Sequence, residues 1–173
     1  STGKSTLSAA LADKYSGGRF HNLMTEYGRI YDVSLKQGKE WTSDDFRMIA
    51  QTHVAMREAL VPNAGPVLVE DTDPIQTMAW EQTLMGEVNS NDYALLDPAD
   101  LYLLLSPEVP WVDDGTRYGE PFRAGMFAFL KEQLVARRLP FLVIEGSDWQ
   151  AREAAAFKAV EERIAFHDAL GEA

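Results

Sequence analysis

The chain has no cysteine, so a disulfide framework and a thiolate metal site are both excluded. Histidine is scarce. His21, His53 and His167 are the full set, and none has the H-x-x-x-H spacing of a helical zinc pair, so no zinc site is expected. Positive charge is also short, with 16 Lys and Arg against 27 Asp and Glu and a net charge of −11. That balance argues against broad contact with nucleic acid or an anionic membrane, because both recruit partners through basic surface. It leaves room for a small anionic ligand, which needs only a local basic pocket. No apolar run approaches the ~18 residues of a membrane-spanning helix, and no secretory signal is visible. The expectation from these absences is a soluble, cytoplasmic protein.

What is present is ordinary globular composition: 173 residues, 46 % hydrophobic and 25 % charged, enough for one domain with a proper core. Near-continuous apolar runs at 67–71, 101–105 and 141–145 end in acidic or polar residues, and 19–24 is a weaker fourth run. Such runs suit parallel strands buried on both faces. Helix-period segments lie between them. One follows the chain start over 5–14. A second is capped by Ser43 and carries Phe46, Ile49, Ala50, His53 and Leu60 on one face. A third carries Phe122, Met126, Phe129, Leu130 and Leu134, and a fourth opens on the capping pattern Ser147-x-x-Gln150. Strands alternating with helices predict an α/β domain with a parallel sheet.

The chain opens on "STGKST". Gly3, Lys4 and Ser5 match the last three positions of the phosphate-loop pattern G-x-x-x-x-G-K-[ST]. The pattern's first glycine, and the strand that precedes such a loop, fall upstream of Ser1. In such a loop the backbone N–H groups and the helix N-terminus bind phosphate oxygens. Ser1, Thr2, Gly3, Lys4, Ser5 and Thr6 are therefore the nucleotide-binding candidates. Lys4 reaches the β- and γ-phosphates, and the Ser5 hydroxyl serves Mg²⁺. The plainer alternative is a Ser/Thr-rich helix cap.

Further candidates stand where the strand runs end, the edge at which open α/β sheets bind ligands. In "EDTD" (70–73) Asp71 is the candidate Mg²⁺ ligand and Asp73 a carboxylate for substrate hydroxyls. A polar strand end before Pro74 is the competing reading. In "TEYGR" (25–29) Glu26 is a candidate general base, Tyr27 a substrate contact, and Arg29 a phosphate or carboxylate partner. The stretch 110–123 carries glycines, aromatics and two arginines, a composition suited to folding over a phosphoryl group. Arg117 and Arg123 neutralise charge there, Asp114 contacts substrate, and Trp111 offers a face to a heteroaromatic ring. A surface loop with Trp111 tucked into the core is the alternative. Trp149 and Arg152 follow the last strand, near where a nucleotide base commonly lies, although Arg152 also reads as a solvated first-turn helix residue.

These stretches, "STGKST", "EYGR", "EDTD", "PWVDDGTR" (110–117) and "EG" with Arg152, resemble in order the ribosylnicotinamide kinase domain of NadR-type proteins, in the P-loop AAA-like ATPase/kinase group. The resemblance spans almost the whole chain. It implies a P-loop kinase-like three-layer sandwich with strand order 2-3-1-4-5, the first strand lying outside this sequence. It further implies a single domain over 1–173 with a lid at about 111–123, and ATP and Mg²⁺ as cofactors. The implied activity is phosphoryl transfer to the 5′-hydroxyl of nicotinamide riboside, giving nicotinamide mononucleotide, with possible fusion to an adenylyltransferase domain. Two other readings stay open at this stage: another nucleoside or nucleotide kinase of the same fold, and a nucleotide-dependent switch domain.

Overall fold

A computed structural model describes residues 2–18, 22–89, 98–110 and 121–171. It divides into two compact units, one of residues 5–97 and one of residues 1–4 with 98–173.

The first unit begins within α1 (Lys4–Tyr15), which buries Leu7, Ser8, Leu11 and Ala12. The buried Asn22 Nδ2 donates to the Ala12 carbonyl at 2.8 Å and ties the helix to β1 (Leu23–Met24). β1 pairs in parallel with β2 (Val69–Glu70), Leu23 opposite Val69 and Met24 opposite Glu70. Between them come α2 (Tyr27–Tyr31), a π-helical turn (Asp32–Lys36) and α3 (Ser43–Leu60). α3 is capped by Thr42 rather than Ser43. The Thr42 hydroxyl accepts from the Asp45 N–H while the Asp45 carboxylate accepts from the Thr42 N–H, a reciprocal capping box. α4 (Pro74–Met85) follows β2, with Asp73 as N-cap, proline at its first position and Gly86 at φ +80° closing it. Phe46, Ile49 and Ala50 of α3, with Ile75, Met78 and Ala79 of α4, supply much of this unit's core.

An anchored cluster fixes the turn after α2. The Lys36 ammonium is buried, meets Asp45 Oδ2 at 2.6 Å and lies 5.4 Å from the centre of the Trp41 ring. Tyr31 donates to Asp45 Oδ1 at 2.7 Å. Burial works against the Asp45 charge, but Lys36, Thr42 and Tyr31 together hold its carboxyl well below the usual range. The same bond to Asp45, helped by burial, pushes the Tyr31 hydroxyl up to about 12.

In the second unit β3 (Tyr102–Leu105) pairs in parallel with β4 (Phe141–Ile144) over four registered residues. α5 (Phe122–Ala136) joins them and packs on β3, and α6 (Trp149–Gly171) packs on β4. The cap of α6 is Asp148, one residue later than expected, its Oδ1 accepting from the Ala151 N–H at 2.7 Å.

The fold is thus α/β with parallel strands, as expected. The described strands form two parallel pairs, β1 with β2 and β3 with β4. The expectation of strands buried on both faces is corrected: Leu104, Leu105 and Ile144 are buried, but Leu142 keeps 39 % of its surface exposed. Each of these strands is paired along one edge and packed by its helix, and that covering leaves Leu142 outside. Among the described residues, no helix is long and apolar enough to cross a membrane.

Candidate active site

The candidate residues divide between the two units. In the first, the α1 N-terminus presents Ser5 and Thr6 in its opening turn. Ser5 Oγ donates to Asp71 Oδ2 at 2.6 Å, across 66 positions of sequence. Asp71 stands immediately after β2, and its N–H donates to the Met24 carbonyl at 2.9 Å, extending the parallel ladder by one step. Its second oxygen, Oδ1, is buried without a hydrogen-bond partner among the described residues. A carboxylate oxygen buried and unsatisfied beside a serine hydroxyl is a hard-oxygen donor set, which fits a magnesium ion.

α3 holds the neighbours of Asp71. Arg57 forms a two-pronged ion pair with Glu70 at 2.7 and 2.9 Å, both side chains largely buried. One turn earlier, His53 Nδ1 lies 3.2 Å from the Thr72 carbonyl oxygen. A carbonyl only accepts, so Nδ1 carries a proton, and the low pKa leaves the ring neutral near pH 7. Burial pushes the His53 pKa down to about 4, the Thr72 carbonyl opposes that and the Arg57 charge adds to it. Glu70 and Thr72 are thus gripped by α3, while Asp71 between them turns to Ser5. Sequence reasoning placed His53 on the apolar face of α3 without a role and passed over Arg57. Their separation of four residues, one helical turn, was the available signal.

Asp73 occupies a different setting from the one expected. β2 ends at Glu70, so neither Asp71 nor Asp73 is a strand residue. Asp73 is the N-cap of α4, and its Oδ1 accepts from the Gln76 N–H at 2.8 Å. Glu26 stands immediately before α2 and meets Arg29 at 3.5 Å in a partly exposed pair, the type worth little to stability. Tyr27 is edge-on to both Tyr31 and His53, with ring centres 6.2 and 6.4 Å apart. His53 therefore touches both the "EYGR" and the "EDTD" segments.

In the second unit, Gly3 adopts φ +80°, and a Cβ there would lie 2.7 Å from Cζ3 of Trp149. Arg152, expected either at a bound base or in solvent, is 1 % exposed. Its Nη1 donates to the Gly146 carbonyl at 2.6 Å and the Ser106 hydroxyl at 3.3 Å. Its Nη2 donates to the carbonyls of Ser106 at 3.2 Å and Thr2 at 3.4 Å. The solvated reading is overturned, because carbonyls from three separate segments enclose the guanidinium. Burial lowers the Arg152 pKa, with the Glu108 charge opposing and the Arg123 charge adding to that shift.

Glu108, which sequence reasoning missed, accepts from the Ser106 hydroxyl at 2.7 Å and from the Gly146 N–H. The Ser106 bond first, then the Gly146 N–H and the Arg152 charge, hold its carboxyl below the usual range. Arg123, near the start of α5, donates from Nη2 to the Val109 carbonyl at 2.7 Å. Ser1, Trp111, Asp114 and Arg117 lie outside the described residues, as does most of the expected lid at 111–123.

A glycine-lysine-serine turn opening a helix, with its serine bonded to an aspartate at a strand end, defines a phosphate-loop nucleotide-binding domain of α/β architecture. The pattern of the family described as "AAA domain" matches residues 1–152, and the chain belongs to that family. It is similar to the trifunctional NAD biosynthesis/regulator protein NadR of Salmonella typhimurium, 30 % identical over 170 residues, which is 95 % of this chain and 40 % of that protein. The Escherichia coli protein of the same name is 32 % identical over 158 residues, 88 % of this chain and 38 % of that one. Among solved structures, a crystal structure of NadR protein in complex with NR matches with a TM-score of 0.74 and 26 % identity, covering 95 % of this chain and 49 % of the other. The chain thus spans less than half the length of each of these relatives.

Proposed function

We propose that the chain is a single kinase domain that transfers a phosphoryl group from ATP to the 5′-hydroxyl of nicotinamide riboside, giving nicotinamide mononucleotide and ADP. The Ser5–Asp71 contact carries the phosphoryl-transfer part of this reading, because it joins the two residue types that such enzymes place at the nucleotide's metal. The likeness to a NadR protein in complex with NR, read as nicotinamide riboside, supports the acceptor. The NAD biosynthesis named for the two bacterial relatives supports the metabolic setting. Their greater length accords with an adenylyltransferase or other domain fused to this one.

In this reading Thr2, Gly3, Ser5 and Thr6 cradle the phosphates through backbone N–H groups and hydroxyls, and Lys4 places a charge on them. Ser5 and Asp71 would hold Mg²⁺, which would neutralise charge on the phosphate oxygens. Glu26 takes the proton of the 5′-hydroxyl as that oxygen bonds to the γ-phosphorus and ADP leaves. It is favoured over Asp73 because, among the described residues, its carboxylate has a weak pair with Arg29, whereas one oxygen of Asp73 is engaged as a helix cap. Asp73, Tyr27, Arg29 and Asp114 bind and orient the riboside, and Trp111 faces the pyridinium ring. Arg117 and Arg123, with the lid at about 111–123, stabilise charge on the transferring group. The test is a coupled ADP-release assay of the full-length protein with nicotinamide riboside, uridine, cytidine and thymidine as acceptors. Equal rates with all four acceptors would remove the nicotinamide assignment, and no ADP with any of them would remove the kinase reading.

A further inference from the structure

Trp149 and Arg152 stand three positions apart on the first turn of α6, so they share one face of the helix. Between them they reach two adjacent residues of the phosphate loop. The Trp149 ring lies against Gly3, and the Arg152 guanidinium takes the Thr2 carbonyl. We infer that Trp149 and Arg152 are positioning residues that set the phosphate loop in its binding shape through its backbone, without touching the nucleotide. The inference rests on the nucleotide-binding reading of residues 2–6.

The peptide between Thr2 and Gly3 is planar and trans, so its carbonyl and its N–H point opposite ways. Drawing the Thr2 carbonyl toward Arg152 therefore turns the Gly3 N–H away from α6 and frees it for an anion. Loops of this kind bind phosphate through converging N–H groups, and that convergence requires the carbonyls to be held elsewhere. Gly3 reaches φ +80°, where an L side chain is strained, and the indole leaves no room for a Cβ. The ring thus fills the space a side chain at position 3 would need. Arginine suits its position because its planar fork gathers several carbonyls at fixed angles, which the point charge of lysine does not. Ser106 and Gly146 complete the arrangement: each follows a strand, and each gives Arg152 a carbonyl, so the guanidinium is itself located by the ends of β3 and β4.

The experiment measures equilibrium binding of Mg-ATP and of inorganic tripolyphosphate to the full-length protein by calorimetry, for wild type, Arg152→Lys and Trp149→Phe. Melting temperature and the acceptor KM are measured alongside. Arg152→Lys is expected to raise the ATP Kd about tenfold and Trp149→Phe about threefold, while the acceptor KM moves by less than about twofold. Tripolyphosphate, which has no base or ribose, is expected to lose affinity by the same factors. A residue that supports only the fold would lower the melting temperature and the bound stoichiometry but leave Kd unchanged, and that result overturns the inference. So does a loss confined to ATP, which would mean direct contact with the base. Should Arg152→Lys fail to fold, Trp149→Phe decides alone on the same criteria. A wild-type protein that binds neither ligand overturns the nucleotide reading itself, and the inference with it.

Discussion

The hydroxyl of Ser5 and the carboxylate of Asp71 meet at 2.6 Å, while the second Asp71 oxygen is buried and unmatched among the described residues. A pair that serves one ion loses most of its value when either member is removed. Ser5→Ala and Asp71→Asn are each expected to lower kcat and to raise the Mg²⁺ concentration needed for half activity by about tenfold or more. The double variant is expected to be little worse than the poorer single one, since contacting residues are not additive. Magnesium titrations of the three variants check this; independent, multiplying effects would separate the two residues.

Glu26 and Asp73 are separable because Asp73 also caps α4. Asparagine caps about as well as aspartate, whereas alanine costs about 1 kcal/mol. Asp73→Asn should therefore melt like wild type but raise the riboside KM, and Asp73→Ala should do both kinds of damage. Glu26→Gln should leave melting and KM nearly unchanged and lower kcat by about a hundredfold or more, the usual range for a lost general base. Melting curves with steady-state kinetics on the three variants decide it. A larger kcat loss for Asp73→Asn than for Glu26→Gln would reverse the roles.

The same residue shows where sequence reading succeeded and where it failed. β3, β4 and α5 were legible because continuous apolar runs and a clean helical stripe depend only on local order. α4 was not read, although Asp73, Pro74 and Gly86 carry the N-cap, first-turn proline and closing glycine of a helix. In the sequence the carboxylate of Asp73 reads as part of the chemistry instead, at the end of a strand longer than β2. Arg152 was illegible for another reason. A charged residue in a helix's first turn reads as surface, and its burial depends on carbonyls of Thr2, Ser106 and Gly146, two of them far away in sequence. The Ser5 and Asp71 pairing was legible because a known loop pattern and a carboxylate after an apolar run each pointed to the same ion.

His53 supplies a pH dependence with a definite sign. Its pKa falls from 6.5 to about 4 on folding, so below pH ~6.5 the unfolded chain binds a proton the folded chain refuses. The stabilisation from the neutral ring is present above that pH and is lost as the pH falls toward 4, amounting to about 3 kcal/mol at about 1.4 kcal/mol per unit. His53→Gln keeps a donor for the Thr72 carbonyl but cannot titrate. Urea unfolding from pH 7 to pH 4 should show the wild type losing more stability than the variant by this order; parallel slopes would contradict it.

In the proposed reaction Trp111 is expected to govern acceptor choice. Nicotinamide riboside carries a positive ring and the pyrimidine ribosides do not, and a cation over an indole gains about 0.5–2 kcal/mol, a roughly two- to thirtyfold preference. Trp111→Leu keeps apolar bulk and removes the π face. The kcat/KM for nicotinamide riboside should fall by more than that for uridine, measured side by side so that any general loss of folded protein cancels. Equal losses would make Trp111 a packing residue.

The acceptor panel decides which riboside the enzyme phosphorylates. With saturating Mg-ATP, ADP release by the full-length protein is expected to have a kcat/KM for nicotinamide riboside about tenfold or more above that for uridine, cytidine or thymidine. The phosphate is expected on the 5′-oxygen of the product by phosphorus NMR. ADP release indifferent to nicotinamide riboside, or faster with a pyrimidine riboside, would contradict the account.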